Sequence, residues 1–328
     1  MATLFTACTQ NGKIVPEISN DFLRVRYQDS SKTLAITTKL DNKVIVKKMI
    51  PKGFNGIFHK KDIVDSNFGR GSSLVLDTEN GGAVTFTLYP SNPFLFIVPE
   101  LKNSSKDTLD THHYVPLTYG IDLGKPVSSI KTLGTGGLLA PDKNPGSYVF
   151  LTTVDPATRN GVISGWLTNE KGSGVLFSDT LKGQVSIKPQ IDYGHFRLLP
   201  GQNEALETLI IGYFDDARLG EEQFADALAK QNNITLRERS AVYCTWYSEK
   251  NGGAGSESSS IELAKYIKDN LKSYGLGVIQ LDDQWQDGGS YNGPARGFNR
   301  SRKVPLEGAV INGTAKQGFP ANYPNAMM

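Results

Sequence analysis

Ala83-Val-Thr-Phe-Thr-Leu-Tyr89 and Phe94-Leu-Phe-Ile-Val98 are rich in β-branched and aromatic residues and are preceded by Glu79-Asn-Gly-Gly82. That combination of a turn signal and short apolar runs reads as strands, not helix. The same pattern recurs from Ile14 to about Gly212. Phe22-Leu-Arg-Val-Arg-Tyr27 alternates apolar and polar residues, the mark of a half-buried strand. Leu34–Thr38, Val44–Val46, Ser73–Leu76, Ser147–Thr152, Gly161–Leu167, Gly174–Phe177 and Glu207–Gly212 follow. Asp41-Asn42-Lys43, Asn160-Gly161 and Lys171-Gly-Ser-Gly174 lie between them and are expected to supply the positive-φ positions of hairpins. Strands and turns at this spacing predict a large antiparallel sandwich over residues 14–216.

The pattern changes near Leu219. Phe224, Ala227 and Leu228 stand at helical spacing in Glu221–Lys230. Glu221 and Glu222 are expected in the first turn and Lys230 in the last, as the helix dipole favours. Residues 217–239 therefore read as a linker helix. A third regime begins at 240. Ala241-Val-Tyr-Cys-Thr-Trp246 is a compact apolar strand. A Gly/Ser-rich loop, 251–259, follows. Ser260 is expected to cap a helix over Ile261–Ser273, with Leu263, Tyr266, Ile267 and Leu271 buried and Tyr274-Gly275 ending it. Val278-Ile-Gln-Leu281 is the next strand. Strand, helix, strand with a crossover of this length predicts parallel pairing.

Composition narrows the function. The 328 residues carry 35 Lys and Arg against 33 Asp and Glu, a net charge of +2. No basic field marks a nucleic-acid partner, and none is expected. No apolar run is long enough for a transmembrane helix. With 38% hydrophobic and 21% charged residues the chain reads as globular. Two cysteines, Cys8 and Cys244, are too few for a disulfide framework or a thiolate zinc site. A single bridge between them stays open. The histidines, His59, His112, His113 and His195, lack metal-motif spacing and read as satisfied side chains, so no metal is expected. Gly134-Thr-Gly-Gly137 lacks the Lys-Ser/Thr of a phosphate loop and reads as a turn, so no cofactor is expected either. At the start, Leu4-Phe-Thr-Ala-Cys8 has two readings. One is the remnant of a lipoprotein signal over residues 1–13 with Cys8 as lipid attachment point, which places the protein at the periplasm or cell surface. The other is a frayed terminus of a cytoplasmic chain.

Asp282-Asp283-Gln284-Trp285 stands at the carboxyl end of the second parallel strand, with Trp246 and Tyr247 ending the first. In (β/α) barrels that rim is the active-site face. Carboxylates accept paired hydrogen bonds from vicinal hydroxyls, and an indole packs on the C–H face of a pyranose. Asp282, Asp283, Trp246, Tyr247 and Trp285 are therefore candidate sugar-binding residues. The bland alternative is an aspartate pair at a turn beside a core tryptophan.

Three motifs carry a family resemblance: Tyr243-Cys-Thr-Trp-Tyr247, Gly277-Val-Ile-Gln-Leu-Asp-Asp-Gln-Trp285 and Phe319-Pro-Ala-Asn-Tyr-Pro-Asn-Ala-Met327. They resemble the retaining α-galactosidases of glycoside hydrolase family 36 and their raffinose-synthase relatives. The resemblance implies a multidomain β plus α/β fold: an antiparallel β-supersandwich, a linker helix and the start of a (β/α)8 TIM barrel over 240–328. It implies that Asp282 and Asp283 hold the hydroxyls of a terminal galactose, with Trp246 and Tyr247 lining the same subsite. It also implies double-displacement hydrolysis of α-galactosides without metal or cofactor. Adjacent carboxylates on one strand end cannot flank a scissile bond at ~5–5.5 Å as nucleophile and acid/base must. In the family those two groups come from the fourth and sixth barrel strands. The chain after Ser240 is far shorter than the ~250 residues of a full barrel, so no catalytic residue is named here. The expectation is an N-terminal fragment that by itself hydrolyses no α-galactoside. Two rivals stay open: an α-galactosyltransferase of raffinose-synthase type, and a non-catalytic carbohydrate-binding protein. Oligomerisation is left open.

Overall fold

The computed structural model describes residues 9–10, 13–14, 16–237, 239–247 and 257–282, and of 9–14 and Tyr247 the backbone alone. The chain divides into two compact units, Met1–Thr235 and Leu236–Met328.

The first unit is built from two large antiparallel sheets. One has ten strands. Along it run Gly137–Leu139, Lys131–Gly134, Phe150–Val154, Gly161–Trp166, Leu209–Phe214, Phe94–Lys102, Ala83–Leu88, Gly69–Thr78 and Phe54–Asp65, with Asn203–Ala205 paired to the side of Phe94–Lys102. The other has nine. Its order is Ser147–Tyr148, Ser173–Leu181, Gln184–Leu198, Leu117–Ile121, Val44–Pro51, Thr33–Thr38, Leu23–Gln28 and Glu17–Ser19, with Leu109–Tyr114 paired to the far half of Gln184–Leu198. The main core draws Val25, Ile36, Ile45 and Met49 from the second sheet and Leu74, Phe86, Leu95, Val162 and Ile211 from the first. Leu23, Val25 and Tyr27 on one strand, and Leu34 and Ile36 on the next, are alternate residues that enter this core, as a pleated face requires. The expected antiparallel β architecture is present.

The central strands of the ten-stranded sheet depart from simple alternation. Every residue of Gly161–Trp166 is buried. Val162 faces the main core, while Ile163 joins a second apolar cluster with Phe94, Phe96, Ile210 and Phe214. That cluster is closed by helix α1, Ala217–Gln231, through Phe224 and Ala227. A strand covered on both faces needs apolar residues at both parities. Hence Phe94-Leu-Phe-Ile-Val98 is a continuous apolar run.

Helix α1 starts at Ala217, a turn before Glu221, and ends at Gln231, so the linker helix is shorter than the expected 217–239. Asp216 is its N-cap, and its carboxylate accepts from the Arg218 backbone N–H at 3.1 Å. Glu221 and Glu222 consequently fall outside the first turn, contrary to expectation. Glu221 instead accepts a 2.7 Å hydrogen bond from the Thr152 hydroxyl of the sheet below. Gly165 and Gly220 let helix and sheet approach closely. A Cβ at Gly220 would lie 2.4 Å from Phe214 Cδ2.

Turn chemistry also shifts in detail. Asn42 adopts φ 54° in the hairpin after Thr33–Thr38, and Gly81 adopts φ 77° before Ala83. The Gly134–Gly137 segment is a hairpin turn. The turn before Gly161 places its positive φ, 66°, on Arg159. Gly174 is not a positive-φ residue either. A Cβ there would lie 2.2 Å from Trp166 Cγ, so this glycine makes room for the buried indole.

In the second unit, Ala241–Cys244 pairs in parallel with Leu276–Gln280. Helix α2, Glu257–Asn270, connects them. It begins before Ser260, which lies inside the helix instead of capping it. Ile267 is buried, Leu263 and Leu271 are half-buried, and Tyr266 is exposed, so the buried stripe is narrower than expected. Gly275, at φ 92°, closes the following 3-10 turn. No helix among the described residues is long and apolar enough to cross a membrane.

Candidate functional site

The parallel register sets Tyr243 beside Ile279 and Cys244 beside Gln280. Both strands therefore end at the same level, and Asp282 leaves the second strand next to the end of the first. The residues there fix it from three directions. Its backbone N–H donates to Thr245 Oγ1 at 3.0 Å. Its Oδ2 accepts from the Cys244 thiol at 3.2 Å and from the Gln280 side-chain amide at 3.2 Å. Thr245 is buried at 4% exposure, so its hydroxyl is a held acceptor. Cys244 is a free thiol in the structure. A thiol is a weak donor; its effect here is to orient the carboxylate more than to stabilise it strongly.

Trp246 lies on the 3-10 turn Thr245–Tyr247 directly after the first strand and is 46% exposed. An indole half open to solvent at a strand end is available to stack on a ring. Tyr247 follows on that turn, its side chain outside the described residues. Asp283, Trp285 and Cys8 also lie outside them, as does the Phe319–Met327 motif. Of the five candidate sugar-binding residues, the structure thus places Asp282 and Trp246 on the rim of one parallel pair.

Sequence reasoning missed the residues that hold Asp282. By sequence, Cys244 offers only disulfide or metal chemistry, and Thr245 and Gln280 read as strand residues. The signal was present in the two motifs together. Once the strands are taken as parallel, Tyr-Cys-Thr-Trp and Ile-Gln-Leu-Asp must come abreast.

Neither a protein-family profile nor a curated protein matches the sequence. Solved structures do match its fold. An α-galactosidase from Lactobacillus brevis superposes with a TM-score of 0.51 at 10% identity, covering 85% of this chain and 49% of that one. A GH36 α-galactosidase variant from Geobacillus stearothermophilus, in complex with 1-deoxygalactonojirimycin, gives 0.50 at 10% identity over 83% and 50%. The chain spans about half the length of these structures. At such identity the likeness is one of fold alone: the antiparallel β architecture of this chain resembles that of these two structures.

Proposed function

We propose that the chain is the N-terminal part of a retaining α-galactosidase, with residues 240–282 forming the first βαβ unit of its (β/α)8 barrel. The substrate class is a terminal α-galactoside, and Asp282 and Asp283 are the carboxylates that grip its hydroxyls. Trp246, Tyr247 and Trp285 form the apolar wall of that subsite. The observation that carries this reading is Asp282 itself. A carboxylate sits at the carboxyl end of a parallel strand, held in place by Thr245, Cys244 and Gln280 of the same rim. A turn-capping aspartate would need neither of the partners that reach it from the other strand, Thr245 and Cys244. The fold likeness to α-galactosidases supports the same reading.

The chemistry follows from the geometry. Prepositioned carboxylates accept charge-assisted hydrogen bonds, roughly twice as strong as neutral ones. They orient the sugar while other groups of the complete barrel attack and protonate it. No residue of the described chain is assigned those two roles.

The test is binding of methyl α-galactoside, followed by titration calorimetry or ligand-observed NMR. Asp282→Asn and Asp283→Asn keep shape but exchange one acceptor for a donor. Each is expected to cost ~1.5–3 kcal/mol of binding, about 10- to 150-fold. Binding that is unchanged in both variants would remove the subsite assignment. A sugar bound equally well in the gluco and galacto configurations would remove the substrate class.

A further inference from the structure

Within the first unit, the strand pair Leu109–Tyr114 and Gln184–Leu198 gathers three metal-ligating side chains. The pairing runs Thr111 opposite Phe196 and His113 opposite Asp192, with a register shift between. Three residues, Tyr193, Gly194 and His195, thus face His112 alone. Bulges of this kind re-aim side chains. Here the bulge turns Gly194 and His195 outward together, while Tyr193 and Phe196 stack on the inner side with ring centroids 4.8 Å apart. The outcome is that Asp110, His112 and His195 meet on the exposed face. One donor atom of each lies within 4.8 Å of the other two.

We infer that Asp110, His112 and His195 form a surface site for a divalent zinc-type cation that clips the two strands together. Three details of the geometry support it. The His112 Nδ1 lies 2.7 Å from the Gly194 carbonyl. A carbonyl only accepts, so Nδ1 carries the proton and Nε2 presents its lone pair. This is the carbonyl-held tautomer typical of metal-binding histidines. His195 Nδ1 and Asp110 Oδ1 are 3.2 Å apart. Tetrahedral zinc with bonds of about 2.0–2.2 Å separates its ligand atoms by about 3.3–3.5 Å, so the ion can take the place of the proton shared there. The two imidazoles already converge, with centroids 4.4 Å apart and ring planes at 60°. Closing the remaining gap moves only exposed side chains. Two imidazoles and a carboxylate suit zinc, and the fourth position is left to water. The opposing group is Arg197, whose Nε donates to Asp110 Oδ2 at 3.0 Å. It competes with the cation for that carboxylate.

The experiment uses the full chain, freed of any purification tag and stripped with chelator, titrated with zinc by calorimetry. Cobalt serves as the visible-absorbing substitute. One zinc per chain is expected, with a rise in melting temperature that grows with zinc concentration. His112→Ala, His195→Ala and Asp110→Asn should each weaken binding by about 10-fold or more. Arg197→Gln should tighten it. All four side chains are exposed, so circular dichroism of the variants should match wild type. Lack of saturable one-to-one uptake would overturn the proposal. So would undiminished uptake by the H112A/H195A double variant, which would place the ion elsewhere, for example on a thiol. Equal or weaker binding in R197Q would overturn Asp110 as a ligand.

Discussion

Gly165 tests how α1 is attached. It is the last residue but one of the Gly161–Trp166 strand, directly beneath Phe224 of the helix. A Cβ there would stand 2.2 Å from Phe224 Cε2 and 2.4 Å from Cζ. Carbon atoms in contact prefer about 3.5–4.0 Å, so Gly165→Ala must push the ring away by more than an ångström. The ring has little room to go. Phe224 is 4% exposed and is flanked by Phe94 and Phe150, with centroids at 6.4 and 6.0 Å. Moving the helix instead would disturb the close approach of Gly220 to Phe214. Overpacking of this kind costs about 1–3 kcal/mol. In a unit of this size each kcal/mol lowers the melting temperature by about 2–4 °C, so a fall of about 2–12 °C is expected. Thermal and urea melts by circular dichroism measure it. Phe224→Leu, destabilising alone, should relieve part of the clash, so the double variant should lose about 0.5–3 kcal/mol less than the sum. Gly165→Ala within about 0.5 kcal/mol of wild type, or strict additivity of the two changes, would mean that α1 does not rest on this sheet.

Two further outcomes follow from burial and chain organisation. Burial, with Asp65 nearby, pushes the Tyr89 phenol up to about 12, and burial raises Tyr119 and Tyr193 as well. An unfolded tyrosine ionises near 10, so above that pH the unfolded state binds fewer protons and stability falls as pH rises; tyrosinate absorbance of these residues should appear together with loss of structure, and their free ionisation near pH 10 in an intact fold would contradict the packing. Limited trypsin digestion should yield a resistant product ending at Arg237 or Arg239, because residues 234–237 are exposed and outside helix or strand; early cuts within the two large sheets would count against the first unit as a stable body.

What could be read from the amino acids alone was whatever depends on neighbours along the chain. Period-two segments such as Leu23–Gln28 and turn residues such as Asn42 and Gly81 announce antiparallel strands. Phe224 and Ala227 announce a helix, and the strand–helix–strand order from Ala241 announces parallel pairing. Each signal is local, because backbone propensity and side-chain period are local. Other features required the assembled sheets. Phe54–Asp65 is a twelve-residue strand, yet its side chains are mostly exposed or half-buried, so no apolar alternation reveals it. Gly174 is determined by the Trp166 indole from the other sheet, not by turn conformation. Helix α1 reads as a connector until the second apolar face of the ten-stranded sheet is seen to need a cover. At the rim, Asp282 was legible as a candidate from its motif, whereas its support by Cys244 and Thr245 depends on the parallel register. The meeting of His112 and His195 depends on a bulge between strands distant in sequence. Pairing register and bulges join residues through hydrogen bonds across the sheet, and one residue of slip turns every side chain to the opposite face. That is why the tertiary structure alone decides which polar groups stand together.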